Sequence, residues 1–136
     1  MTMQDRFKFR VWVKDSEEYI EDEAGECHIM YNGELICGDW VDDGYCGHYD
    51  YFNDDEVIVE QCTGLKDKNG KLIYEGDIVR TSYPYAVKNY EVKWGDCCWE
   101  LRKENGFIVL YEKISEALEV IGNIHENPDL LESKDE

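Results

Sequence analysis

Thr63 to Val79 reads Thr-Gly-Leu-Lys-Asp-Lys-Asn-Gly-Lys-Leu-Ile-Tyr-Glu-Gly-Asp-Ile-Val, with two turns and two short extended runs in seventeen residues. Asn69-Gly70 and Gly76 mark the corners, because glycine reaches positive φ without steric cost and asparagine tolerates it. A chain that reverses twice over so short a distance has no room for a parallel crossover or a long helix. It predicts antiparallel strands joined by tight turns. The segment contains no reactive constellation and reads as architecture.

The same grammar runs through the rest of the chain. Arg6 to Val13 alternates, with Phe7, Phe9, Val11 and Val13 on one face and Arg6, Lys8, Arg10 and Trp12 on the other, which predicts a strand with one buried face. Asp15 to Glu26 is acidic, ends this strand and is expected as a loop or a weakly formed turn. Cys27 to Tyr31 and Glu34 to Ile36 flank Asn32-Gly33, a hairpin signal. Gly38 to Glu56 is the least regular stretch; its rings (Trp40, Tyr45, Tyr49, Tyr51, Phe52) predict a surface loop packed by its own aromatics. Val57 to Cys62 is β-branched and reads as a strand. After Tyr83-Pro84, strands are expected over Val87 to Trp94, Cys98 to Arg102, Phe107 to Tyr111 and Leu118 to Ile124. Ile114 to Ala117 suits one helical turn. Asn127-Pro128-Asp129 opens a short helix, with Asn127 as its cap.

Many short strands and frequent turns give a mainly β fold. From about residue 60 onward they suit a small closed barrel of the SH3-like kind, since closure leaves no long edge. The expected organisation is an N-terminal β elaboration over residues 1–60, comprising strand, hairpin and acidic aromatic-rich loop packed on the barrel. An SH3-like barrel with one short C-terminal helix follows over 61–132, and a frayed tail over 133–136.

Three segments resemble the YopX family of small phage and prophage proteins. They are Lys8-Phe9-Arg10-Val11-Trp12; Cys62 to Lys71 continuing through Ile73-Tyr74-Glu75-Gly76-Asp77-Ile78-Val79; and Glu119-Val120-Ile121-Gly122-Asn123-Ile124-His125-Glu126-Asn127-Pro128-Asp129-Leu130-Leu131. Order and spacing fit, while the acidic region from Gly38 to Asp55 has no counterpart. The resemblance implies a β-rich fold with an SH3-like barrel and a phage or prophage origin in a bacterium. It implies no activity, and no residue inherits a role from it.

Charge excludes more than it assigns. The net charge is −18, and residues 15–60 hold sixteen acids without one Lys or Arg. Direct nucleic-acid binding is disfavoured, because phosphates are recognised first by Lys and Arg. Anionic membranes are disfavoured for the same reason. There is no apolar run long enough to span a bilayer and no secretory signal pattern, so a bacterial cytoplasmic location is expected. In that compartment the six cysteines (Cys27, Cys37, Cys46, Cys62, Cys97, Cys98) read as small buried or half-buried thiols.

No metal, cofactor or catalytic site is expected. Structural zinc sites pair ligands two to four residues apart, and no Cys-x-x-Cys occurs. Cys46 and His48 would be the nucleus of such a site, but their spacing is too close; Cys97 and Cys98, if extended, face opposite ways. Asp39-Trp40-Val41-Asp42-Asp43-Gly44 misses the alternating ligands of a calcium loop. The serines sit on no nucleophile elbow, and His125 is expected at the surface. The leading functional expectation is a non-enzymatic module that binds a protein partner or assembles with itself. Two alternatives stand beside it: an acidic surface that imitates nucleic acid to occupy a host DNA-binding protein, and a metal-dependent hydrolase.

Overall fold

A computed structural model describes residues 8–20, 26–29, 35–39, 48–52, 55–104 and 106–132. The chain forms two compact units, one of Arg10–Val59 and the other of Met1–Phe9 with Glu60–Glu136. The described elements are mainly antiparallel strands, and the fold is barrel-like, as expected.

In the first unit, strand β1 (Phe9–Val13) turns back at Lys14 to Glu17 and pairs with β2 (Glu18–Tyr19), Trp12 standing opposite Tyr19. The expected turn is there, and the short strand after it is an addition to the expectation. No Gly or Asn marks the turn; Glu17 itself takes φ 54°. Trp12, on the strand face opposite Val11, is 7% exposed. Its ring packs edge-on against Tyr19 at 5.0 Å, and the Arg10 guanidinium lies 4.6 Å from the centre of the Tyr19 ring. The start of the expected strand at Arg6 and Phe7 lies outside the described residues.

The same unit holds β3 (Glu26–Ile29), β4 (Leu35–Asp39) and β5 (His48–Phe52), a three-stranded antiparallel sheet in that order. The predicted hairpin forms, with a different register. A two-residue turn centred on Asn32-Gly33 would set Ile29 opposite Ile36; instead Ile29 faces Leu35 and His28 faces Ile36. The corner itself lies outside the described residues. β5 falls inside the stretch expected to be an irregular loop: alternation of Tyr49 and Tyr51 with polar neighbours is enough for a third strand. Residues 40–47 and 53–54 of that stretch are outside the described set.

The second unit carries most of β6 (Val57–Lys66), with β7 (Leu72–Tyr74), β8 (Asp77–Thr81), β9 (Asn89–Trp94), β10 (Trp99–Lys103), β11 (Gly106–Val109), helix α1 (Glu112–Ser115), β12 (Leu118–Asn123) and a 3-10 helix at Pro128–Leu131. The five-stranded sheet runs β11-β10-β9-β8-β12. β6 continues past the predicted Cys62 because Gly64, at φ 81°, accommodates an irregularity between the pairs Cys62–Tyr74 and Lys66–Leu72. Ile73, Val79, Val92, Leu101, Leu110, Ile114 and Leu118 form the core, with Tyr90, Trp99 and Val120 packed against it. Each such side chain contributes about 1.5–3 kcal/mol by leaving water.

Polar side chains fix the corners. Asp67 is 6% exposed. Its Oδ1 accepts from the backbone N–H groups of Asn69 and Lys71, both at 2.9 Å, and its Oδ2 accepts from Val120 N–H at 3.0 Å. One carboxylate thus closes the β6–β7 turn and ties it to β12. Asp77 similarly accepts from Tyr74 N–H at 2.8 Å across the next turn. Asn127, expected to cap the last helix, makes no side-chain cap bond there; its Oδ1 instead accepts from Asn123 N–H at 3.3 Å. With four residues and 3-10 geometry, that helix is braced instead by Asn89, whose amide donates to Leu130 O at 2.9 Å. The tail over 133–136 lies outside the described residues.

Candidate functional site

Two features of the second unit could carry function. The first is the β10–β11 hairpin. Its register sets Lys103 opposite Gly106, Arg102 opposite Phe107, Leu101 opposite Ile108 and Glu100 opposite Val109. The chain therefore reverses between Lys103 and Gly106, and residue 105 of that corner lies outside the described residues. β10 is well anchored: Leu101 is fully buried in the core, and Glu100 receives the Arg102 Nε–H at 2.8 Å on the other face. The Glu100 carboxylate lies against Gly95, in space that a side chain there would need.

β11 contrasts with its neighbour. All its residues are exposed, Phe107 at 57%, Ile108 at 37% and Val109 at 46%. It ends the sheet, so one backbone edge is open among the described residues. Tyr111 and Trp94 add exposed ring area nearby in sequence and sheet; Trp94 packs edge-on against Trp99 at 5.1 Å. The sequence marked this strand as one of several. Its uniform apolarity, Gly-Phe-Ile-Val running on into Leu110 and Tyr111, was the signal that set it apart.

The second feature is a buried acid–imidazole pair. His125 Nε2 lies 3.1 Å from Glu60 Oε2, with the two side chains 11% and 3% exposed. This corrects the expectation that His125 is a surface residue. Asn123 Oδ1 accepts from the N–H groups of His125 and Glu126 and turns the chain inward, while Ile124 N–H donates to Gly76 O at 2.9 Å. Glu75 stands beside this cluster, its carboxyl held above the usual range by burial first and by the Glu60 charge to a lesser extent. The sequence signal for Glu60 was a lone carboxylate closing the β-branched run from Val57. At such low exposure the pair faces protein, and it joins β6 to the turn after β12.

Of the other candidate residues, the structure describes only some. Cys46 and the His48 side chain lie outside the described residues. Cys97 and Cys98 are not extended; they occupy the turn from Gly95, whose N–H donates to Cys98 O at 2.8 Å. Burial first, and then the neighbouring Cys97 and Glu100, push the Cys98 thiol up, which makes it a poor nucleophile. Among the described residues no three His, Cys, Asp or Glu side chains are grouped to hold a metal ion. Most carboxylates of the nucleic-acid-mimic reading also lie outside the described set. No helix among the described residues is long and apolar enough to cross a membrane.

With this geometry in view, the comparisons are consistent. The family model described as YopX protein matches residues 8–132, and the chain belongs to the YopX family. The fold is similar to that of protein EF1440 from Enterococcus faecalis, at 25% identity and a TM-score of 0.63, covering 92% of this chain and 97% of that one. It is also similar to protein yopX from Bacillus subtilis, at 23% identity and a TM-score of 0.64, covering 91% of this chain and 97% of that one. Among curated proteins, none matches. Family membership suggests a phage-type protein.

Proposed function

We propose that this chain is a non-enzymatic interaction module, that its contact element is β11, and that the strand it accepts is β11 of a second copy. The observation that supports this is the exposure of Phe107, Ile108 and Val109 on a strand with an open backbone edge. Such an edge is a template for another strand. Gly106–Val109 carries no charge, so two copies meet there without like charges opposed. The acid excess lies instead in residues 15–60. Antiparallel pairing about a two-fold axis would set Phe107 of each copy against Ile108 of the other, and such an arrangement closes at two copies. No step of this reading needs a reaction, and a prophage-encoded protein of the bacterial cytoplasm would fit it.

Light scattering coupled to chromatography tests it, using the wild type and Phe107→Lys. The wild type should dimerise as its concentration rises, and the variant should stay monomeric, with the same unfolding midpoint as the wild type at concentrations where the wild type is itself monomeric. A wild type that remains monomeric at every concentration removes the reading.

A further inference from the structure

The β3–β4 register brings two thiol-bearing residues together that the sequence keeps ten positions apart: Cys27 stands directly opposite Cys37. We infer that Cys27 and Cys37 are a cross-strand disulfide site, a modification point that staples this hairpin when a small-molecule disulfide is available as oxidant. This inference is independent of the β11 contact.

The argument rests on backbone spacing. Directly opposed residues of an antiparallel pair have Cα atoms about 4.5 Å or about 5.5 Å apart, depending on whether they exchange hydrogen bonds. Both values fall within the roughly 4.4–6.8 Å that a disulfide spans. Opposed Cβ atoms begin at about 4.5 Å, the upper end of the disulfide range, so closure draws the strands together slightly. The neighbouring pairs Glu26–Gly38 and His28–Ile36 hold the same register on either side, so the opposition does not depend on one contact.

The other thiols fit less well. Cys97 and Cys98 are adjacent, and consecutive Cα atoms lie about 3.8 Å apart, below the disulfide range. Cys62 is 2% exposed within the second unit. Among the described residues, Cys27–Cys37 is thus the pair whose backbone matches the bond.

The chemistry balances with a small-molecule disulfide such as oxidised glutathione. One cysteine thiolate attacks a glutathione sulfur and expels one glutathione thiolate, leaving a mixed disulfide. The second cysteine thiolate attacks the protein sulfur of that intermediate and expels the other glutathione. Two electrons pass from the protein thiols to the reagent, and the two thiol protons go to the released glutathione.

The test is non-reducing peptide mapping by mass spectrometry after incubation of the whole chain with oxidised glutathione. The expected product has lost two thiols and contains a peptide joining Cys27 to Cys37 within one chain. Cys27→Ser and Cys37→Ser should each abolish that peptide and leave a glutathione adduct on the remaining partner. A second arm uses a chain with Cys46, Cys62, Cys97 and Cys98 all changed to Ser, which should still form the link. Linkage through Cys46, Cys97 or Cys98 in the wild type, or glutathione adducts on both Cys27 and Cys37, overturns the inference. The wild-type map decides the matter even if the four-serine chain does not fold.

Discussion

The Glu60 carboxylate occupies the space that a side chain at position 76 would need, and Gly76 is the residue that leaves it free. Gly76 also takes φ 85°, a conformation that L-residues adopt at a cost. Gly76→Ala should therefore lose on both counts, by about 2 kcal/mol or more. Urea unfolding followed by tryptophan fluorescence would show a lower midpoint with an unchanged slope. An unchanged midpoint would mean that the carboxylate moves aside freely.

Glu60 and His125 should prove energetically coupled. Glu60→Ala removes the 3.1 Å partner of His125 and leaves a cavity, costing about 3 kcal/mol. In a double-mutant cycle with His125→Ala, the coupling should be about 1–3 kcal/mol. Simple additivity of the two losses would show that the pair is adjacent without being joined.

Glu75 should give a pH signature of definite sign. Its folded-state pKa is raised above the ordinary 4.5, chiefly by burial. The folded state therefore binds this proton more tightly than the unfolded state. The group's favourable contribution is complete below 4.5 and is lost as pH rises through the raised folded value. Glu75→Gln should thus match the wild type in acid and become more stable above that window. The side chain is only partly buried, so solvent screening keeps the gain to about 0.5 kcal/mol or less. Stability curves of the two proteins at several pH values would check it, and a gain confined to acid would contradict the assignment.

Asp67 is the most demanding corner. Asp67→Ala strands three backbone donors, those of Asn69, Lys71 and Val120. The expected loss is about 2–4 kcal/mol. Asp67→Asn keeps an acceptor oxygen and should lose less. Hydrogen exchange at Val120 should speed up in both variants, and unaltered protection there would place the stabilisation elsewhere.

The fold was legible where local chemistry decides it. Asn69-Gly70 and Gly76 turn the chain because their φ values demand it, and Gly70 and Gly76 do take φ 81° and 85°. The β6–β7 and β7–β8 corners and β12 follow from such signals. What escaped was decided by partners distant in sequence. The register of β3 on β4 is one residue away from what Asn32-Gly33 suggests. The Glu60–His125 pair spans sixty-five positions, and no local pattern announces a pair of that separation. At β11, composition showed an apolar strand, but only its place at the end of the sheet makes it an open edge.

Asp67, Gly76 and Lys68 all receive or donate their cross-sheet hydrogen bonds to the stretch from Leu118 to Ile124. On a translating ribosome those groups emerge some fifty residues before the segment that satisfies them. The barrel therefore cannot close vectorially behind the exit tunnel. It must wait as an incomplete, hydrated sheet until β12 arrives to lock it, and any pause in synthesis before Leu118 lengthens the time that nascent chains spend open to chaperones and proteases.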